Sequence, residues 1–425
     1  MFDKIRQIWK TEDLRNNIIF VLLMLVIFRL FAHLPIPGIN TQGLKEFFGS
    51  NQILGLLNIL SGGGLENFSV VMLGVGPYIT ASIIFQLLTM IVPALEALSK
   101  EGETGQRKIN QYTRLLTVPL AALQSYSFIA ILQRQSQNRL IGSLTLSQYV
   151  IAIFMVTAGT IFLMWLGELI SEKKIGNGIS LIIFAGIVAG MPLRVQQTLA
   201  VFDPTKLFNL LIFIAIAIVT IIGVVIITEG QRNIPVNYAK RIRGNRMYGG
   251  VSTHLPLRVN MAGVIPIIFA ISIIIFPSMV AQFFVTAESK WLSEAAKFVI
   301  SLFQNQIFYG VFYFILVVAF TYFYTYVIFH PFQIAENLQK QGAFVPGIRP
   351  GRQTADYLKN VVNKVLLAGS LFLGAIAVLP LSVRALTGMG SLVIGGTSLL
   401  IVVSVVIETV KQIDAQLTMR DYEGL

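Results

Sequence analysis

Long apolar runs alternate along this chain with short polar connections. A helix needs about 20 apolar residues to cross a hydrocarbon core of about 30 Å. Ten runs come close to that length: Ile18 to Leu34, Val70 to Val92, Leu115 to Leu132, Tyr149 to Leu166, Gly178 to Leu193, Leu207 to Thr228, Val259 to Phe284, Ile307 to Phe329, Val365 to Val383 and Gly390 to Ile407. The first ends in Pro35 and Pro37 with no small-residue cleavage site, so it reads as a retained span. Ahead of it, Phe2, Ile5, Ile8 and Trp9 interleave with Lys4, Arg6 and Lys10, the pattern of a helix lying on a membrane surface. Ile53 to Leu60 is apolar but too short to cross, and Ser61, Gly62, Gly63 and Gly64 follow it. Two readings fit this stretch: a re-entrant half-helix lodged inside protein or beside a water-filled cavity, or an interfacial helix on the outer surface.

Composition agrees with membrane insertion. Of 425 residues 55% are hydrophobic and only 12% charged, against about 25% charged in soluble domains. With a cytoplasmic N-terminus, 23 of the 32 lysines and arginines fall on that side of the spans. Eight fall on the other (Lys45, Arg134, Arg139, Arg194, Lys206, Lys290, Lys297, Arg384), and Arg29 lies within a span. The positive-inside rule therefore puts both termini in the cytoplasm and accounts for most of the net charge of +12 without nucleic acid. Cysteine is absent, which excludes disulfides, thiolate nucleophiles and thiolate-bound metals; three scattered histidines do not suit a haem-bearing oxidoreductase.

Ten spans divide into halves of five, residues 1–205 and 206–425, and the helix breakers fall at matching places in the two. Span two carries Gly74, Gly76 and Pro77, and its counterpart, span seven, carries Gly263, Pro266 and Pro277. Span five opens with Gly176, Asn177 and Gly178, and span ten contains Gly390, Gly395 and Gly396. Discontinuous helices at corresponding positions of two inverted halves mark a central pathway, although Gly and Pro are also simply common in membrane helices.

The spans are nearly free of ionisable groups: Arg29 and His33 lie in the outer part of span one, and Glu168 and Lys364 at span ends. Ion-coupled transporters and proton pumps usually need intramembrane carboxylates. No phosphate-binding glycine loop, no His-Glu-x-x-His and no paired mid-membrane aspartates occur in the sequence, so an enzyme is not expected. Two longer connections are basic. Gly230 to Leu257 holds Arg232, Lys240, Arg241, Arg243 and Arg246 with Tyr238 and Tyr248, and His330 to Lys364 holds Lys340, Arg349, Arg352 and Lys359. Such loops suit RNA backbone, acidic protein or anionic lipid, or are a solvated face obeying the positive-inside rule.

Several stretches taken together resemble the SecY family: Pro77 to Ile84 (PYITASII), Gly176 to Ser180 (GNGIS), Thr253 to Leu257 (THLPL), Asn260 to Pro266 (NMAGVIP), Gly342 to Gly351 (GAFVPGIRPG) and Gly395 to Leu400 (GGTSLL). The resemblance runs in order over essentially the whole chain and is closest to the bacterial branch. It implies an all-α integral membrane protein of ten transmembrane helices in two inverted five-helix halves, with a short re-entrant plug helix, in the bacterial plasma (inner) membrane. The function implied is a protein-conducting channel that passes secretory polypeptides and releases hydrophobic segments sideways into lipid. A small-solute secondary transporter with inverted repeats is the alternative.

Site residues implied by the resemblance are an apolar pore ring of Val75, Ile79, Ile179, Ile183, Ile268 and Ile401, in which Val75 departs from the isoleucine usual there. The plug takes in Leu57, Leu60, Ser61, Gly62 and Gly63, and the lateral gate Thr80, Gln86 and Phe276. Arg241, Arg243, Arg246, Arg349 and Arg352 would dock a motor or a ribosome. Implied partners are the small membrane subunits SecE and SecG, the SecA motor, the ribosome, signal-sequence-bearing polypeptides and membrane lipids. No cofactor is implied, and the driving energy comes from outside the chain.

Overall fold

A computed structural model describes residues 2–36, 58, 61–135, 145–200, 207–238, 241–243, 246–248, 252–285, 289–387 and 396–423. The helices are α1 (Phe2–Lys10), α2 (Glu12–Ala32), α3 (Gly76–Ile91), α4 (Pro93–Lys100), α5 (Glu103–Gln135), α6 (Leu146–Glu172), α7 (Gly178–Ala200), α8 (Leu207–Glu229), α9 (Ile265–Phe284), α10 (Lys290–Gln304), α11 (Gln306–Ile328), α12 (Pro331–Lys340), α13 (Arg352–Thr387) and α14 (Gly396–Glu423). Every one of the ten apolar runs overlaps a helix, and α1 lies where the amphipathic pattern placed it. Among the described residues five helical segments are long and apolar enough to cross a membrane, six if α3 and α4 form one broken span. The expected ten are thus matched in position but not in number on this measure. Within α7 and α9 the described residues show the shorter apolar stretches Gly178–Pro192 and Ile265–Ile274.

Breakers also move the boundaries. The second apolar run becomes helical only at Gly76, because the chain turns through Gly74, at φ +57°, and Pro77 takes the first helical turn, where no N–H is needed. At its other end Val92 is extended before Pro93, and α4 leaves α3 at 100°. The longer basic connection is not an irregular loop. It forms β1 (Gln231–Tyr238), β2 (Arg241–Arg243), β3 (Arg246–Tyr248) and β4 (Ser252–Arg258), and β5 (Ala343–Phe344) from the other basic connection joins them. The strands run β4-β1-β5, with β1 antiparallel to both neighbours, while β2 and β3 form a hairpin of their own. Ile234 and Val236, two apart on β1, are the buried pair that gives this small sheet a core face.

The chain divides into two compact units. The first comprises residues 1–204, 272–303 and 405–425. In it α2 packs on α6 and α7, α3 on α5, and α5 on α6. Leu65, Phe68 and Met72, from the stretch between α2 and α3, share a core with Phe128, Ile129 and Leu132 of α5 and Ala152 and Val156 of α6. Gly159 lets this stretch approach, since a Cβ there would run into the Val70 carbonyl. Lower on the same helices, Arg114 Nε and Glu168 Oε1 pair at 2.7 Å. The end of α14 is tied to the α6–α7 turn by Gln416 Nε2, which donates to the Lys174 carbonyl at 2.7 Å.

The second unit comprises residues 205–271 and 304–404. Its centre is the α11–α13 pair. A Cβ at Gly374 would sit 2.8 Å from the Phe314 ring, so the absence of a side chain sets the helix spacing, and Tyr326 Oη donates to Asn363 Oδ1 at 2.5 Å further along. The sheet, Phe329 and the first turns of α13 (Leu358, Val361, Val362) close a second core.

Gly159→Val is expected to destabilise the first unit by about 1–3 kcal/mol, the usual range for overpacking a filled site. The measurement is thermal unfolding of the detergent-solubilised protein, and an unchanged midpoint would contradict the packing of 61–75 against α6.

Candidate functional site

Four of the six predicted ring residues lie in the first unit. Val75 caps α3 and is 3% exposed, Ile79 follows one turn later, and Ile179 and Ile183 occupy the first two turns of α7. Asn177 fixes the start of α7, its Oδ1 accepting from the Ser180 N–H at 3.1 Å, and Gly178 N–H donates to Ser171 Oγ at 2.9 Å. The GNGIS stretch is thereby locked onto the end of α6, with Ile179 Cδ1 lying over Gly167. Ile268 on α9 and Ile401 on α14 belong to the second unit, and both are buried. None of the six side chains offers a hydrogen bond.

The predicted gate residues differ in what their polar atoms do. Thr80 Oγ1 is consumed by its own helix, donating to the Gly76 carbonyl at 3.0 Å. Gln86 Nε2 reaches Ser82 Oγ at 3.4 Å, whereas its buried Oε1 has no partner among the described residues. Gln86 is therefore the gate residue with unused hydrogen-bonding capacity. Phe276 lies on α9 just before Pro277; its side chain is outside the described residues.

Of the predicted plug residues, Leu57 and Leu60 are outside the described residues, while Ser61, Gly62 and Gly63 lie in a tight polar knot with two residues that the sequence reading passed over, Asn58 and Glu66. Asn58 Nδ2 donates to Glu66 Oε2 at 2.7 Å, and the Glu66 N–H donates to Asn58 Oδ1 at 3.0 Å. The Asn58 carbonyl accepts from Ser61 Oγ at 3.0 Å and from the Gly63 N–H at 2.8 Å. Ser61 Oγ in turn accepts from the Leu65 N–H at 3.3 Å. Arg29, noted above only as a charge inside span one, donates from a guanidinium nitrogen to the Gly62 carbonyl at 2.5 Å. A polar residue on each side of a glycine run, eight apart, was the available signal for Asn58 and Glu66.

Among the docking candidates, Arg241 and Arg243 stand on β2 and Arg246 on β3, where the ladder pairs Arg243 with Arg246 and Arg241 with Tyr248. Arg349 and Arg352 are exposed at the mouth of α13. Their turn is rigid. Val345 is buried in the sheet core, Ile348 N–H closes back on the Val345 carbonyl at 3.1 Å, and Gly347 takes φ +81°, which a side chain would oppose. Thr354 Oγ1 donates to the Arg349 carbonyl at 2.9 Å, fixing the arginine to the helix that follows. Among the described residues no cluster of His, Cys, Asp or Glu could hold a metal ion.

The chain is similar to known proteins along nearly its whole length. The family model described as SecY matches residues 69–410. The protein translocase subunit SecY of Mycobacterium bovis is 43% identical over 436 residues, covering 98% of this chain and 97% of that protein. The subunit of the same name from Bacillus licheniformis is 43% identical over 434 residues, covering 100% and 99%. A solved structure described as that of a protein conducting channel superposes with a TM-score of 0.63 at 17% identity, over 93% of this chain and 90% of that one, and so shares the fold.

Proposed function

This chain belongs to the SecY family, and we infer from that membership that it is a protein-conducting channel of the membrane, a subunit of a protein translocase and not an enzyme. The observation that carries the reading is identity of 43% sustained over nearly the whole length of proteins bearing that name. A small-solute transporter is not favoured. As a translocase subunit the chain works with other components of the machine.

The finer assignments are our own. Val75, Ile79, Ile179, Ile183, Ile268 and Ile401 are proposed as the constriction. Support comes from their chemistry: an apolar throat dewets and bars ions when closed, yet gives a passing polypeptide no hydrogen bonds to hold it. The unpartnered Gln86 Oε1 supports a role for α3 in the lateral exit, where a hydrophobic signal sequence would partition into lipid. Residues 61–63 are proposed as the hinge of a plug closing the outer funnel. SecE and SecG are the expected small membrane companions, and SecA and the ribosome the expected cytosolic ones, docking on Arg241, Arg243, Arg246, Arg349 and Arg352. The rigid turn around Arg349 supports that assignment, since a guanidinium held in place pairs bidentately with carboxylate or phosphate at less entropic cost. The division at residues 205–206 into inverted halves, the inner-membrane location and the cytoplasmic termini rest on the matching breakers and the lysine and arginine asymmetry.

Two outcomes follow. Ile183→Asn or Ile401→Asn should raise resting ion conductance in planar bilayers by about tenfold, equivalent to lowering the barrier by about 1.4 kcal/mol, and should admit precursors with defective signal sequences. Conductance equal to that of the unaltered protein would remove these residues from the constriction. Arg349→Glu should leave thermal stability unchanged and cut motor-driven translocation by about tenfold or more, the effect of turning an attractive charge contact repulsive. Normal translocation by this variant would strike Arg349 from the docking surface.

A further inference from the structure

Arg29 is an ionisable side chain in the last turn of α2, at the end of the apolar run that begins at Ile18, where an unpaired charge is costly and partners are usually other charges or backbone carbonyls. Both kinds of partner are present. A guanidinium N–H reaches the Gly62 carbonyl, 33 residues away along the chain, and the Glu66 carboxylate is near enough to attract the same cation. Gly62 and Glu66 belong to the knot closed by Asn58, so one arginine grips the knot at its backbone, within reach of the field of the Glu66 carboxylate.

The seat of the knot is tight. Gly62 has φ +70°, and a Cβ there would lie 2.9 Å from the Phe28 ring on α2 and 3.0 Å from Gly186 Cα on α7. Phe28 is the neighbour of Arg29, and Gly186 is three residues beyond Ile183, so Gly62 is wedged against two helices, one of which carries two proposed constriction residues, Ile179 and Ile183. Apolar contact at Gly62 is small because glycine has no side chain. The knot satisfies its own hydrogen bonds internally. Leu65 anchors the knot in the core toward α5 and α6, and on the α2 side what holds it is the charge-assisted bond from Arg29, a class of bond about twice as strong as a neutral one.

We propose that Arg29 is the positioning residue of the seal: its guanidinium latches the Asn58–Glu66 knot to α2, and release of that latch accompanies opening of the channel. The proposal rests on the reading of residues 61–63 as the plug hinge. In this arrangement the cation does not touch the passing polypeptide. It sets how often the knot leaves its seat, and so the stringency with which the closed channel ignores chains lacking a proper signal sequence.

The test compares resting ion conductance and translocation of a signal-defective precursor for the full chain in its native complex and for Arg29→Gln, each with and without deletion of residues 53–60. Arg29→Gln in the full-length channel should raise both readouts by about tenfold, the effect expected on losing a charged hydrogen bond. In the deletion background the same substitution should add nothing, because there is no plug left to hold. Should Arg29→Gln fail to assemble, Arg29→Lys keeps the charge and loses the planar fork, and a smaller rise in the same two readouts is expected. A leaky deletion with Arg29→Gln, or failing that Arg29→Lys, behaving as unaltered protein would overturn the latch and leave the plug standing. A deletion that does not leak would overturn the plug reading, and the latch with it.

Discussion

Hydrocarbon offers no hydrogen bonds, and that single constraint organises this chain. Backbone amides and carbonyls inside the bilayer must find partners within the protein, which makes helices obligatory and allows irregular backbone only where protein or water surrounds it. The stretch 61–75 is the clearest case. It is neither helix nor strand, and it survives because most of its polar groups are met by one another, by Arg29 and by the backbone of Leu34 and Ile36, while Leu65, Phe68 and Met72 bury themselves against α5 and α6. The helix breakers obey the same rule: Gly74 and Pro77 interrupt the backbone at a place where Val71, Met72 and Val75 are all nearly inaccessible.

Inside the units, packing depends less on the amount of apolar surface than on how closely backbones approach, since lipid is as apolar as any side chain. Gly159 against Val70, Gly178 against Gly167, and Gly374 against Phe314 are the points where a missing Cβ sets the separation. Polar ties then fix the register, as Arg114 to Glu168 in the first unit and Tyr326 to Asn363 in the second. The irregular stretch 61–75 is part of this frame, since Leu65, Phe68 and Met72 complete the core between α5 and α6.

Much of this was legible in the sequence, and the reasons are physical. Span positions follow from run length, and all ten apolar runs coincide with helices. Starts and stops were less legible, because apolar residues such as Val70 to Leu73 read as helix by composition while Gly74 and Pro77 decide otherwise. The strands of the basic connections were missed: residues 231–238 carry Pro235 and several polar groups, and only the pairing with β4 and β5 makes them a strand. α10 escaped notice because fifteen residues are too few to cross, and Lys290, Glu294 and Lys297, which line one polar face of it, interrupt any continuous apolar run. Of the candidate site, residue identities were readable only through family resemblance, since an isoleucine in a membrane helix carries no signal of its own. Arg29 is the opposite case. Its charge stood out at once, but its partner is a carbonyl, and a backbone atom leaves no mark in a sequence.

The central claim is that a polypeptide passes through this protein at the proposed constriction, and the absence of cysteine from the chain permits a direct test. A single cysteine is placed at Ile268, a precursor carrying one cysteine is stalled midway through translocation, and disulfide formation between them is measured. A crosslink that requires both the signal sequence and the driving motor is the predicted result. Absence of any crosslink from position 268, with the stalled precursor shown to be inserted and cysteines at positions 183 and 401 equally silent, would contradict the account.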